Sequence, residues 1–526
     1  MRRYYESYPN TTHTARSTPV RSDGERTVKS RLRELLAAVV PGGSILQRTV
    51  RSGAWSGAIK VSSRFLQILM LIVLARLLSP RQFGLVGIAL LSLSATRRFS
   101  QIGLNSALIQ HEAEDVDTYL DTTWCLEMAR GAVIFGALFL LAPVIAGLFD
   151  EPSATPLIRV IGVGPLLYGL RNPGVIYFRK DLEFHKQFVY QVSGGFVQFL
   201  VGVGYALVSP TVWALVFAYI SADVFRFGLS YFVHDYRPWP SFDVSAAKEL
   251  IDYGKWITAS SILYFLYQQG DDAFVGWFIS ATALGFYQYA YRLADTPSSE
   301  VSEIIASVSF PAYSKLQDSP AELRQALLAT TRVTGFVTIP MALGIALIAP
   351  SFVPIVLGDE WTRMIRPMQL LALYGLFHSI TRNFGSVFKA LDRPDILAKI
   401  SAIRVACIAV VIWPAATRFG LEGVALTVVG VYAFPMLPLD VYLVSRLTGV
   451  DATAFFREWF YPLVAASVMF GGLWTARGMV ETSLLVELVV LIPAGIVVYS
   501  AVSLFLMRYS PWQIEGDIRS IAGSFG

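Results

Sequence analysis

Apolar residues in this chain fall in long unbroken runs, not in the short alternations of strands or the narrow stripes of soluble helices. A helix needs roughly 20 apolar residues to cross the hydrocarbon core of a bilayer. Fourteen runs approach that length, at 55–78, 83–108, 123–148, 156–178, 187–208, 212–233, 253–278, 283–310, 332–357, 367–388, 395–416, 421–445, 456–476 and 483–507. Asp271 and Asp272 interrupt the run at 253–278. Transmembrane barrel strands would be shorter and alternate in polarity. The pattern predicts an all-α integral membrane protein with fourteen transmembrane helices.

Two runs open alike. Gly53-Ala-Trp55 and Gly254-Lys-Trp256 are each followed, 29 residues after the tryptophan, by a glycine, Gly84 or Gly285, so the offset is 201 in both comparisons. Arg171-Asn-Pro-Gly174 matches Arg382-Asn-Phe-Gly385, Asp181 matches Asp392, and Trp213-Ala-Leu215 matches Val424-Ala-Leu426, now at offset 211. The chain reads as duplicated, with ten residues gained in the second copy. The runs group as six, six and two. Six is even, so both copies enter the membrane from the same side, as a parallel repeat about an axis along the membrane normal. The expected layout is a basic tail over 1–52, an N-lobe over 53–235, a linker over 236–252, a C-lobe over 253–448, two further helices within 449–510 and a tail over 511–526.

Composition narrows the class. Of 526 residues, 54% are hydrophobic and 15% charged, and the mean hydropathy is +0.52, too apolar for a water-soluble domain. The longest connections, 234–252 and 312–331, are too short for a soluble catalytic domain of at least ~50 residues. With the N-terminus inside, the cytoplasmic loops carry Arg179, Lys180, Lys186, Arg237, Lys248, Lys255, Lys315, Arg324, Arg332, Lys389, Arg393, Lys399, Arg446 and Arg457, against Arg76, Arg81, Arg363, Arg366, Arg418 and Arg477 outside. That asymmetry predicts cytoplasmic termini. Residues 1–50 are basic and lack the apolar stretch of a cleaved signal. They read as a disordered tail, with Lys29–Val40 as a weaker candidate for a surface helix. Cys125 and Cys407 read as small buried hydrophobes.

Several motifs resemble those of Wzx-type oligosaccharide flippases. They are Ala75-Arg-Leu-Leu-Ser-Pro-Arg-Gln-Phe-Gly-Leu-Val86, Gln101-Ile-Gly-Leu-Asn-Ser-Ala-Leu-Ile-Gln110, Ala283-Leu-Gly-Phe-Tyr-Gln-Tyr-Ala-Tyr-Arg-Leu293, Phe310-Pro-Ala-Tyr-Ser-Lys-Leu-Gln317 and Gly358-Asp-Glu-Trp361. The resemblance covers about 53–450. It implies the multidrug/oligosaccharidyl-lipid/polysaccharide superfamily, two six-helix lobes around a central cavity, and a polyprenyl-linked oligosaccharide as cargo.

Charges inside apolar runs are costly, roughly 2.5–3.5 kcal/mol each at a helix centre on insertion scales, and usually face a cavity or a partner. Lys60 and Arg64 lie one turn apart in the first run, Arg97 and Arg98 in the second, and Arg292 in the eighth. The resemblance places these runs around the cavity, where guanidinium forks suit a diphosphate. The competing reading is that these cations snorkel or form internal ion pairs. Adjacent arginines diverge on a helix, so one at most of Arg97 and Arg98 faces the cavity squarely. Glu127 and Arg130 are spaced to pair, although Glu127 is also a candidate for ion coupling. Asp271 and Asp272 either bind a coupling cation, pair with Arg64 or Arg292 between transport states, or lie near the outer interface. Phe286, Tyr287, Tyr289 and Tyr291 either pack helices or guide a glycan, with packing favoured.

Enzyme-like strings fail on context. Asp115-Val-Asp117 mimics a nucleotide-sugar site but lies in a short loop. Gly162-Val-Gly164 and Gly169 lie in an apolar run, where glycine permits close helix packing. His13, His111, His185, His234 and His378 show no metal-ligand spacing. The reading is a flippase, not an enzyme, without cofactor, metal or nucleic-acid partner. It would reside in the inner or plasma membrane among membrane lipids and work with glycosyltransferases and a polymerase. A cation-coupled multidrug exporter of the same superfamily is the main rival, ahead of an integral-membrane glycosyltransferase or polymerase.

Overall fold

The computed structural model describes residues 45–100, 117–180, 183–240, 244–479 and 483–509. The expected tails, the 101–110 motif and Asp115 lie wholly or mostly outside these residues. The described elements are helices α1 (Ile45–Leu77), α2 (Pro80–Phe99), α3 (Asp117–Leu148), α4 (Ala154–Ile161), α5 (Val163–Gly169), α6 (Phe184–Val208), α7 (Trp213–Val233), α8 (Val244–Phe278), α9 (Ala281–Lys315), α10 (Pro320–Val356), α11 (Ile365–Ala390), α12 (Pro394–Val431), α13 (Leu437–Thr448), α14 (Ala452–Met479) and α15 (Leu484–Tyr509). Among the described residues there is no strand.

Among the described residues, eight segments are by length and apolarity able to cross a membrane, one of them the joined stretch Pro394–Thr448. The protein is a multi-pass membrane protein. Four long helices fall outside that set: α2, α8, α9 and α11. These four carry Arg97, Arg98, Asp271, Asp272, Arg292, Asp295, Glu300, Glu303 and Arg382. Helices interrupted by this much charge belong against protein or water rather than lipid.

Local chemistry breaks one expected run and keeps another whole. The run at 156–178 is broken into α4, α5, a 3-10 turn Pro173–Ile176 and one helical turn, Tyr177–Lys180. Pro173 brings no N–H, and the Asn172 side chain accepts from Gly174 N (2.9 Å), capping the new turn. Conversely, α8 runs straight through Asp271 and Asp272. Each aspartate finds a donor on α9, so neither carboxylate ends the helix. Gly420, at φ +56°, divides the long α12 segment where the eleventh and twelfth runs were separated.

The two halves meet where α2 packs on α9. Both helices start on a serine, and the pairs Ser79/Ser280, Pro80/Ala281 and Gly84/Gly285 all differ by 201 positions. Pro80 supplies the first residue of α2, and the Gln82 side chain accepts from Ser79 N (2.8 Å). Ser280 accepts from Ala283 N (3.1 Å) at the start of α9. One continuous core includes Leu74, Phe83 and Ile88 from the first half and Leu284, Tyr287 and Trp361 from the second.

Candidate functional site

Three of the motif segments converge on Trp361, which is fully buried. Its indole N–H donates to Ala75 O (3.0 Å), and Phe83, Tyr289 and Phe286 pack their rings at 5.3, 5.0 and 6.1 Å. Gly358, at φ +110°, turns the chain from α10 into the short helix bearing Trp361. Beside it, Arg76 Nε donates to Val356 O (3.0 Å). These motifs therefore clasp the two halves. Phe286 and Tyr289 are packing residues, as favoured from the sequence.

Three of the predicted cations come together on one surface. Lys60 on α1 pairs with Glu303 on α9 (2.7 Å), and Arg64 pairs with Glu300. Gln67, one turn further along α1, accepts from Arg292 (3.0 Å) and Arg64 (3.4 Å). Arg382 on α11 lies 3.6 Å from Glu303 and donates to Ser299 O (3.1 Å). Four cations, Lys60, Arg64, Arg292 and Arg382, thus meet two carboxylates. Lys60, Gln67 and Arg292 are exposed, and among the described residues Arg292 has no carboxylate within 4.0 Å. The pairs tie halves that are 236 and 243 residues apart in sequence, yet their partial exposure keeps them exchangeable. An incoming phosphate competes well for such guanidinium groups, because it offers more charge than one carboxylate.

Arg97 and Arg98 diverge. The Arg98 guanidinium lies over the Tyr264 ring of α8 (4.7 Å), whereas Arg97 turns inward beside Tyr219 and Asp223, around Gly164. Arg98 is thus the one aimed at the other half. Glu127 and Arg130 form the expected pair (3.1 Å), and Arg130 also donates to Arg97 O (3.1 Å). Gly169 packs on the Glu127 backbone and Gly131 on Pro165 O, so the glycines around α5 serve close packing, not a dinucleotide.

Asp271 accepts from Tyr287 OH (2.7 Å) and Asp272 from Gln288 Nε2 (3.2 Å). In this conformation they pair with neither Arg64 nor Arg292. Asp271 instead lines a cavity of about 390 Å³ with Tyr267, Tyr291, Tyr374, Trp413 and Tyr432. Behind it, Arg404 donates to Tyr432 OH (2.9 Å), which donates to Tyr267 OH (2.7 Å). Sequence reading missed Arg404, Glu300, Glu303 and Arg382, together with Arg171, Asp223 and Arg226. Each lies within a predicted run, so a full census of intramembrane charge would have found them. Arg171 and Arg382 were already matched as the leading residues of the repeated Arg-Asn-x-Gly motif.

Known proteins share this chain's features at two levels. The family model for polysaccharide biosynthesis proteins matches residues 73–366. The lipopolysaccharide biosynthesis protein WzxC of Escherichia coli K12 is 28% identical over 363 residues, 69% of this chain and 74% of its own length. The succinoglycan biosynthesis transport protein ExoT of Rhizobium meliloti is 26% identical over 326 residues, 61% and 65% of the two chains. Among solved structures, the lipid II flippase MurJ in an inward closed conformation aligns with a TM-score of 0.70, covering 86% of this chain and 98% of that one at 13% identity. That last likeness is one of fold.

Proposed function

This chain belongs to the polysaccharide biosynthesis protein family, and from that membership we propose that it turns a polyprenyl-diphosphate-linked oligosaccharide from the cytoplasmic to the outer leaflet. It is a transporter, not an enzyme: it moves its cargo by alternating access and changes no covalent bond. The observation that carries the reading is the exposed, cation-rich surface where α1 and α9 face each other. Passing a diphosphate and a string of hydroxyls through hydrocarbon unaided means desolvating them at a cost of many kcal/mol. Lys60, Arg64 and Arg292 replace that lost hydration, with Arg98 as a further donor and Arg97 as a supporting one.

The finer architecture goes with this role. We take the chain to cross an inner or plasma membrane fourteen times with both termini cytoplasmic. An N-lobe (53–235) and a C-lobe (253–448) are related by a parallel repeat, a linker (236–252) joins them, and two further helices follow. The matched positions at the starts of α2 and α9 support the repeat, and the basic loops support the orientation. Asp271 and Asp272, buffered by Tyr287 and Gln288, are the stronger candidates for ion coupling, whereas Glu127 is occupied by Arg130. Glycosyltransferases would supply the cargo and a polymerase would consume it.

Deleting the gene tests the reading. Full-length lipid-linked glycan should accumulate facing the cytoplasm, protected from lectins and glycan-cleaving enzymes added outside. A truncated glycan would indicate an enzyme, and normal surface glycan with sensitivity to cationic drugs would indicate the multidrug exporter.

A further inference from the structure

Gln67 also lines a second pocket, of about 300 Å³, walled by Arg171, Tyr190, Gln191, Gln198 and Arg226. Its charge does not balance. Arg171 Nη2 pairs with Asp223 Oδ1 (2.6 Å), and Arg226 Nη2 donates to Gln191 O (3.3 Å). Among the described residues Arg226 has no carboxylate within 4.0 Å, so two guanidinium groups answer one carboxylate. Arg171 Nε, Arg226 Nε and Tyr190 OH are buried donors without an acceptor. Tyr190 and Asp223 are each only 8% exposed. Buried polar groups are normally satisfied, and an excess buried charge calls for a counter-ion.

Room is made for this arrangement. A Cβ on Gly194 of α6 would overlap Arg226 Nε, so glycine there lets the guanidinium lie against the helix backbone. If the cluster only tied the segment after α5 to α7, the Arg171–Asp223 pair would suffice. Arg226 adds a second, half-buried cation that this role does not need.

We infer that Arg171, Arg226 and Tyr190 form a second anion subsite of the transport path, one that takes phosphate or carboxylate oxygens. Forked guanidinium donors and a phenol suit such oxygens. Gln67 belongs to this pocket and to the Arg64–Arg292 cluster, so an anion here lies next to one held there. The assignment to the transport path rests on the flippase reading. The anion site itself does not. Two sources share the chemistry: the diphosphate of the lipid carrier, or the carboxylate of an acidic sugar further along the glycan.

The test is equilibrium binding to the full-length protein in lipid nanodiscs at fixed ionic strength, with inorganic pyrophosphate, D-glucuronate and neutral D-glucose as probes. A Lys60→Ala, Arg64→Ala, Arg292→Ala background removes the first cluster and isolates the pocket. In that background, anion binding should persist and glucose should not bind. Adding Arg226→Gln or Gly194→Val should then weaken anion binding about tenfold or more, while Arg226→Lys retains part of it. The two weakening changes lie on different helices, and an unchanged melting temperature separates lost binding from lost fold. Tighter binding of pyrophosphate assigns the pocket to the diphosphate, and tighter binding of glucuronate assigns it to an acidic sugar. Absence of anion binding in the background, or affinity indifferent to Arg226→Gln, would overturn the subsite. Neither result depends on flipping, so failure of the gene-deletion test would be recognised separately.

Discussion

Gly84 and Gly285 face each other across the boundary between the two halves, each pressed onto the residue that its own repeat partner follows. A Cβ on Gly84 would overlap the carbonyl oxygen of Ala281, and one on Gly285 would overlap that of Pro80. Pro80 aligns with Ala281 in sequence as Gly84 does with Gly285, so the contact is reciprocal. Overpacking such a contact costs typically 1–3 kcal/mol.

The first prediction follows. Gly285→Val should destabilise this conformation against the alternative by that amount, a shift of about five- to 150-fold in population. With Cys125 and Cys407 replaced, a probe cysteine at Gln288, which sits beside Gly87, should react faster with a thiol reagent in the Gly285→Val protein. Unchanged labelling would mean that the contact does not hold the two halves in this state.

Arg64 and Glu300 offer a test of role against architecture. Arg64→Ala and Arg292→Ala should abolish glycan export at normal membrane abundance, with lysine restoring it only partly. The exchange Arg64→Glu with Glu300→Arg keeps an ion pair between α1 and α9 but moves the guanidinium. Export should stay lost in the exchanged protein if Arg64 binds cargo. Recovery would instead assign the pair a purely structural role.

Trp361 anchors the clasp through one indole hydrogen bond to Ala75 O. Trp361→Phe keeps most of the packing but leaves a buried carbonyl without its donor, which costs roughly 1–3 kcal/mol. A lowered midpoint of thermal unfolding in detergent checks this, and an unchanged one would show that the bond carries little.

Topology is testable by reporter fusions. Fusions after residues 150 and 360 should register outside and fusions after 184 and 395 inside. Any one on the wrong side overturns the assignment of spans.

Much of this protein was legible before folding. The number and placing of the apolar runs, the offset of 201 that links Gly84 to Gly285, and the costly cations Lys60, Arg64 and Arg292 are all written in the sequence. They are legible because the bilayer imposes a length on each helix and a penalty on each charge, and both act on one segment at a time. Partners are different. That Arg64 meets Glu300, that Arg98 rather than Arg97 turns to α8, and that Asp271 answers Tyr287 instead of an arginine depend on how helices rotate and pack. The break between α4 and α5, and the pocket of Arg171 and Arg226, depend on the same packing. Hydropathy carries no rotation angle, so pairings between helices, whether 16 or 236 residues apart, were decided only when the helices packed.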